Sequence, residues 1–371
     1  MTLSRRHMLQ AGCAALSSTV LPQVAFAAER RFEPKVEGWR SFEVTTTVKV
    51  AEARGATRLW LPVPDLDTDF QVSLGNSWSG NASTARLVSD GTQGARLLYA
   101  EFAADVATPT LVLTSTVQTR NRAIDWSNKR LVHEDPALLR ANLAASELLP
   151  IDGIVSDTAK KAIQGAGSDV EKVRAIYQWV VDSAYREPTT RGCGVGDIKT
   201  LLESGNLGGK CADLNALFVG LCRSVGVPAR DIYGIRVAPS AFGYKELGGN
   251  SASLKGAQHC RAEVFLKQYG WVAMDPADVL KVMRQETPEW IKDKTNPVAA
   301  PVNKALFGGW EGNWVGWNTA HDLKLPQYSR PGTLPFLMYP QGENAAGRFD
   351  ELAPDSFRYT IAAKEITELR N

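Results

Sequence analysis

"GGKCADLNALFVGLCRSVGVPAR", residues 208–230, decides how the rest of the chain is read. Two glycines and a lysine lead into a helix that opens on cysteine. Leu214, Leu217, Phe218, Leu221, Cys222 and Val225 recur at helical spacing and make one apolar stripe. Gly226 and Pro228 then end the helix. Cys211 therefore stands at the helix N-terminus, where unpaired backbone N–H groups and the helix dipole favour negative charge. That placement lowers a thiol pKa and raises its thiolate fraction. The competing reading is a small buried apolar residue, and only partners elsewhere in the chain separate the two.

The first partner is in "AQHCRAEVFLKQYGWVAMDPADV", residues 257–279. His259 opens an alternating run with Arg261, Glu263 and Phe265 on its side, while Cys260, Ala262, Val264 and Leu266 face inward. Gly270 marks a turn, and "WVAMD" returns to end at Asp275. A cysteine, a histidine to take its proton and a carboxylate to orient the imidazole form a nucleophilic set that needs no metal. Parity adds a condition. For His259 and Asp275 to share a face of an antiparallel hairpin, the index sum of paired residues must be even. The connection then holds an odd number of residues, three or five around Gln268.

With these residues in place, the chain resembles the transglutaminase-like superfamily of thiol enzymes, which share a papain-like core. The resemblance covers about 155–285 and rests on Gly209, Cys211, "LFVGLCRSVGVPAR", His259, Glu263 and "GWVAMDP". It implies an α+β core of helices packed on an antiparallel sheet, with Cys211 as nucleophile, His259 as base and Asp275 as third member. One departure stands out. Arg261 occupies a position where an aromatic residue often follows the histidine by two, which points to a more polar or acidic acyl group. For the oxyanion and the substrate the candidates are the Cys211 backbone N–H, Tyr185, Lys210, Arg261 and Trp314.

Around this core, residues 38–130 read as an N-terminal β-sandwich-like domain. Phe42, Val44, Thr46, Val48 and Val50 share one strand face, Leu111, Leu113, Ser115 and Val117 another, and "SLGNSWSGNAS" reads as a turn between strands. Helices follow from Pro136 in "PALLRANLAASELL" and in "SDVEKVRAIYQWVVDSAY", the latter opened by a Ser168–Glu171 capping box. The catalytic core is expected over 135–290 and a C-terminal β extension over 291–371. Trp310, Trp314 and Trp317 in that extension read either as a binding wall or as a hydrophobic seal. His321-Asp322 makes a second histidine–carboxylate pair without a cysteine or serine motif beside it.

Residues 1–27 resemble a twin-arginine export signal, with Arg5-Arg6, a short Ala/Ser-rich apolar stretch and a small-x-small end at Ala25-Phe26-Ala27. That implies a bacterial periplasmic or secreted protein with no membrane span after the signal is removed. Cys193, Cys211, Cys222 and Cys260 remain, enough for two disulfides, or at most one if a thiol stays free for chemistry. The absence of any C-x-x-C pair argues against structural zinc, and the net charge of +2 argues against nucleic acid. Neither metal nor cofactor is called for, and nothing speaks to oligomeric state. The function expected is peptide or carboxamide acyl cleavage or transfer through a thioester, on a protein, peptide or cell-wall peptide, with hydrolysis preferred. The alternatives are a cross-linking transglutaminase with an amine acceptor, and a non-catalytic peptide-binding module on the same fold.

Overall fold

The computed structural model describes residues 30–51, 53–90 and 94–367. The export signal expected over 1–27 lies outside the described residues. Strands Arg40–Lys49, Gln71–Gly80, Thr110–Thr119 and Arg358–Ile366 form one antiparallel sheet, with Arg40–Lys49 between the last two. Strands Thr57–Pro62, Thr84–Ser89 and Arg96–Phe102 form a second with Gln341–Asn344 and Gly347–Arg348. Val48, Leu111 and Leu113 of the first sheet and Leu59, Leu61 and Leu98 of the second enter one buried cluster, so the sheets pack face to face. Each such aliphatic side chain contributes about 2 kcal/mol relative to its exposed state.

The segment read as a turn, "SLGNSWSGNAS", lies mostly within the strand Gln71–Gly80, whose residues after Val72 are largely exposed. This strand is at the sheet edge, paired on one side with Thr110–Thr119 and bulged between Ser73 and Gly75. An edge strand is held by its backbone ladder, so it needs no apolar alternation, and its Gly, Ser and Asn resemble a loop.

The α+β core follows. The helix Cys211–Ser224 (the cysteine helix) packs on an antiparallel sheet ordered Gly270–Met274, Gln258–Leu266, Ala229–Arg236 and Trp314–Asn318. Helix Asp169–Ser183 carries the expected capping box, Ser168 accepting from the Glu171 N–H and Glu171 from the Ser168 N–H. The helix expected from Pro136 stops at Ala141, where the Asn142 side chain donates to Leu138 O at 2.9 Å. Two further helices, Gly153–Ala162 and Ile198–Glu203, complete the layer. The first fully buries only Val155 and Ala159, and the second is a short helix capped by Asp197 inside a glycine-rich stretch. Neither offers a strong periodic signal.

The hairpin meets the parity condition. Leu266 pairs with Gly270 and Ala262 with Met274, so the index sum is even and the connection is the three residues 267–269. Gly270 takes φ +76°, which an L side chain resists. The histidine strand, Gln258–Leu266, is buried along its whole length, which corrects the expectation of one outward face. Its second face meets Arg122 and, in the C-terminal segment, Trp310, Glu311 and Trp314. Glu263 is accordingly ion-paired to Arg122 and, at 2.8 Å, to Arg230.

The C-terminal segment is shared between neighbours. Trp314–Asn318 extends the core sheet, while Gln341–Asn344 and Arg358–Ile366 each complete an N-terminal sheet. Among the described residues no helix is long and apolar enough to cross a membrane.

Candidate active site

Cys211 is the first residue of its helix and is 3% exposed. The turn ahead of it is fixed by Asp213, which accepts from the Lys210 N–H and from the Val195 and Gly196 N–H groups, each at 2.9 Å. The carboxylate lies so close to Gly194 that a Cβ there would fall 1.9 Å from it. Asp213 thus straps the loop "RGCGVG" onto the helix start, and the Ala212 N–H donates to Cys193 O at 3.0 Å. The strap brings Cys193 against Cys211, and Cys193, Cys260 and His259 are the neighbours that draw on the Cys211 thiol.

The hairpin supplies the rest. His259 Nε2 is 2.7 Å from Asp275 Oδ2 and 3.3 Å from Asp278 Oδ2. Carboxylates only accept, so Nε2 carries the proton and Nδ1 is left to the thiol. Asp275 also caps the helix Pro276–Gln285, accepting from the Asp278 N–H at 3.1 Å. Asn215, one turn along the cysteine helix, donates to Cys260 O at 2.8 Å and Asp275 Oδ1 at 3.3 Å. The Trp314 indole N–H donates to His259 O at 2.9 Å and fixes the backbone from the other side.

Charge in this buried cluster is nearly closed. Arg236 is ion-paired to Asp278, and Arg261 Nε lies 3.7 Å from Asp275 Oδ2. Two guanidiniums face two carboxylates, so these groups stay balanced when Cys211 and His259 are both neutral or both charged. Burial and Arg236 push the imidazole down, but Asp278 and Asp275 outweigh them and raise His259 to about 9. Cys211 moves the other way. Hydrogen bonds from Cys193 and Cys260, opposed by burial and reinforced by His259, draw it well below an ordinary thiol. Both shifts favour the charged pair over the neutral one. Burial drives Cys222 and Cys260 upward, and the bond to Cys211, with burial, does the same to Cys193. All four cysteines among the described residues are free thiols, so none of the disulfides considered between them is formed.

His259, Asp275 and Asp278 place ligand atoms within 4.8 Å of one another, as a metal site would. Their donors are already committed to an imidazolium and two guanidiniums, and a cation would have to displace those.

The other candidates fall elsewhere. The Tyr185 hydroxyl donates to Asn206 at 2.8 Å and its ring lies over Gly208, so it is not aimed at the thiol. Arg261 is 2% exposed, donates to Glu311 O at 2.9 Å and sits between the Trp310 and Trp314 rings. Held by these groups, it is closed off from solvent. Trp310, Trp314 and Trp317 are fully buried, which makes them a seal. Lys210 stands next to Cys211 and lines a cleft of about 510 Å³, walled also by Arg186, Cys193, Lys255, Gln258, Tyr339 and Tyr359. A larger depression of about 1080 Å³ beside Trp126 and Arg174 holds no cysteine, serine or histidine.

Residues 156–276 match the family model described as the transglutaminase-like superfamily. An uncharacterized protein of Haemophilus influenzae is 32% identical over 345 residues, 88% of this chain and 91% of the relative. The chain belongs to the transglutaminase-like superfamily. Among solved structures it is similar to a candidate cysteine protease of Cytophaga hutchinsonii, at 16% identity and a TM-score of 0.49, over 89% of this chain and 99% of that one. It is also similar to the periplasmic domain of TgpA from Pseudomonas aeruginosa, at 17% identity and a TM-score of 0.37, over 75% and 98%. Of the residues that meet at the thiol in this member of the superfamily, Cys211, His259 and Asp275 were legible from local patterns. Asp278, Asn215, Arg236 and Cys193 were not.

Proposed function

We propose that the protein is an exported cysteine hydrolase of peptide or carboxamide bonds, with Cys211, His259 and Asp275 as its triad. The observation that carries this reading is the buried histidine gripped by Asp275 at 2.7 Å, its charge helping to draw down the Cys211 thiol at the helix start. The Cys211 thiolate attacks the carbonyl carbon, and a C–S bond forms as charge moves to oxygen. The Cys211 N–H, one of the helix's unpaired donors, receives that charge. His259 gives its proton to the leaving nitrogen as the C–N bond breaks, releasing amine or ammonia and leaving a thioester. Water then attacks the thioester while His259 takes its proton, and the C–S bond breaks to restore the thiolate and imidazolium.

Hydrolysis is favoured over transfer to a lysine. The cleft beside Cys211 carries Arg186, Lys210 and Lys255, which repel an incoming ammonium. The test is incubation with a carboxamide peptide library, reading ammonia or amine release and acyl adducts on the intact protein. Release with an adduct confined to Cys211 is expected, and both vanish in Cys211→Ala. Release that stops at one equivalent per Cys211, or peptide-to-lysine products, would point to the transferase. Twin-arginine export is tested by Arg5→Lys with Arg6→Lys, which should leave the protein in the cytoplasm.

A further inference from the structure

We infer that the cleft beside Cys211 selects acyl donors carrying a free carboxylate. This rests on the reading of Cys211 as nucleophile, but it is carried by a separate feature, the charge of the walls. Arg186 comes from the short strand Tyr185–Arg186, Lys210 precedes the thiol, and Lys255 lies in the loop before the histidine strand. These separate elements converge on one cavity. Among the described residues, none of the three cations is in an ion pair, and Arg186 uses only its Nε, toward Gln285 at 3.1 Å.

The one carboxylate in the lining, Glu351, is already paired with Arg348 at 3.0 Å. Glu187, near Lys210, is turned to cap its own turn, accepting from the Thr189 N–H and hydroxyl at 2.9 and 2.8 Å. The cations are also mutually unfavourable, since burial and then Arg186 pull the Lys210 ammonium below its ordinary value. An anion in the cleft would offset the burial and screen the repulsion. The facing wall of Leu352, Tyr339, Tyr359 and Ile361 leaves room for the apolar part of such a ligand. The positive charge expected at Arg261 is thus supplied at three other positions that do face the cleft.

The carboxylate could stand on a side chain or at a backbone α position, and the experiment separates these. Alkylation of Cys211 in the full chain is followed by mass spectrometry with iodoacetate and with neutral iodoacetamide. Two glutamyl fluoromethyl ketones are then compared, one activated at the α carbon and keeping its side-chain carboxylate, the other activated at γ and keeping its α-carboxylate. Glutaminyl analogues give the neutral reference. We expect anionic reagents to outrun neutral ones by about tenfold at low salt, the ratio falling as salt rises. The faster ketone reports which carboxylate fits. In Arg186→Gln with Lys255→Gln the ratio should fall at least threefold, with folding checked by circular dichroism. The salt response of the unmodified chain decides the matter if that variant does not fold. A ratio that responds to neither salt nor substitution, while iodoacetamide still labels Cys211, overturns the inference. Failure of every reagent to label Cys211 overturns the proposed function instead.

Discussion

The cysteine helix has a histidine–aspartate pair at each end, and only one of them stands by the thiol that opens the helix. At the N-terminal end, His259 meets Asp275 at 2.7 Å and faces a thiol where the helix favours negative charge. At the C-terminal end, His321 lies 3.4 Å from the Arg223 guanidinium and 3.5 Å from Asp322. Asp322 also accepts from the Leu148 N–H at 3.3 Å, fastening a loop. Residue types are the same at both ends. The difference lies in what the imidazole faces: a sulfur that gains from becoming an anion, or a guanidinium that repels a second cation.

The largest expected effect separates the two ends directly. His259→Ala should lower hydrolysis about a thousandfold or more, by loss of the proton carrier. His321→Ala should change turnover less than threefold and cost about 1 kcal/mol of stability through a lost buried contact. Denaturant unfolding and turnover measured together check both. Equal loss of turnover at the two ends would break the comparison.

Next come the carboxylates that hold His259. Asp275→Asn should lower turnover about a hundredfold or more, since an amide no longer imposes one tautomer. Asp278→Asn should cost about tenfold and shift the alkaline limb of the pH profile. The sign follows from His259, raised to about 9 by Asp278 and Asp275 against burial. The imidazolium is present below that value and lost above it, so activity falls as pH rises through about 9. Removing Asp278 brings that limb to lower pH, and an unmoved limb would assign the proton to another group.

The smallest effect concerns Cys193. Cys193 is the leading cause that draws Cys211 down. Cys193→Ala should therefore move the acid limb of Cys211 alkylation to higher pH by about one unit. An unchanged acid limb would leave His259 as the main cause.

Legibility in the sequence follows the same contrast between local and assembled features. Cys211, His259 and Asp275 each sit in a pattern that a single element reveals: a helix start, the head of an alternating run and the end of its return strand. Even the odd number of residues in the connection follows from parity. Asn215 hides within an apolar helix stripe, although its spacing of one turn from Cys211 puts it on the same side. Asp278 reads as an ordinary first-turn acid and becomes a histidine partner only when the hairpin closes. Cys193 lies among glycines whose purpose, close approach to Asp213, is visible only once the loop is strapped down. The edge strand Gln71–Gly80 was missed because its ladder, rather than side-chain burial, holds it. Arg261 was misplaced because the strand that carries it is covered on both faces.

The most direct test of the account is the number of thiolates in the folded protein as a function of pH, read by ultraviolet absorbance. One thiolate should already be present at neutral pH, absent in Cys211→Ala, and formed in His259→Ala only as the pH nears that of an ordinary thiol. A protein with no thiolate at neutral pH, or with one that persists in Cys211→Ala, would contradict the charged Cys211–His259 pair.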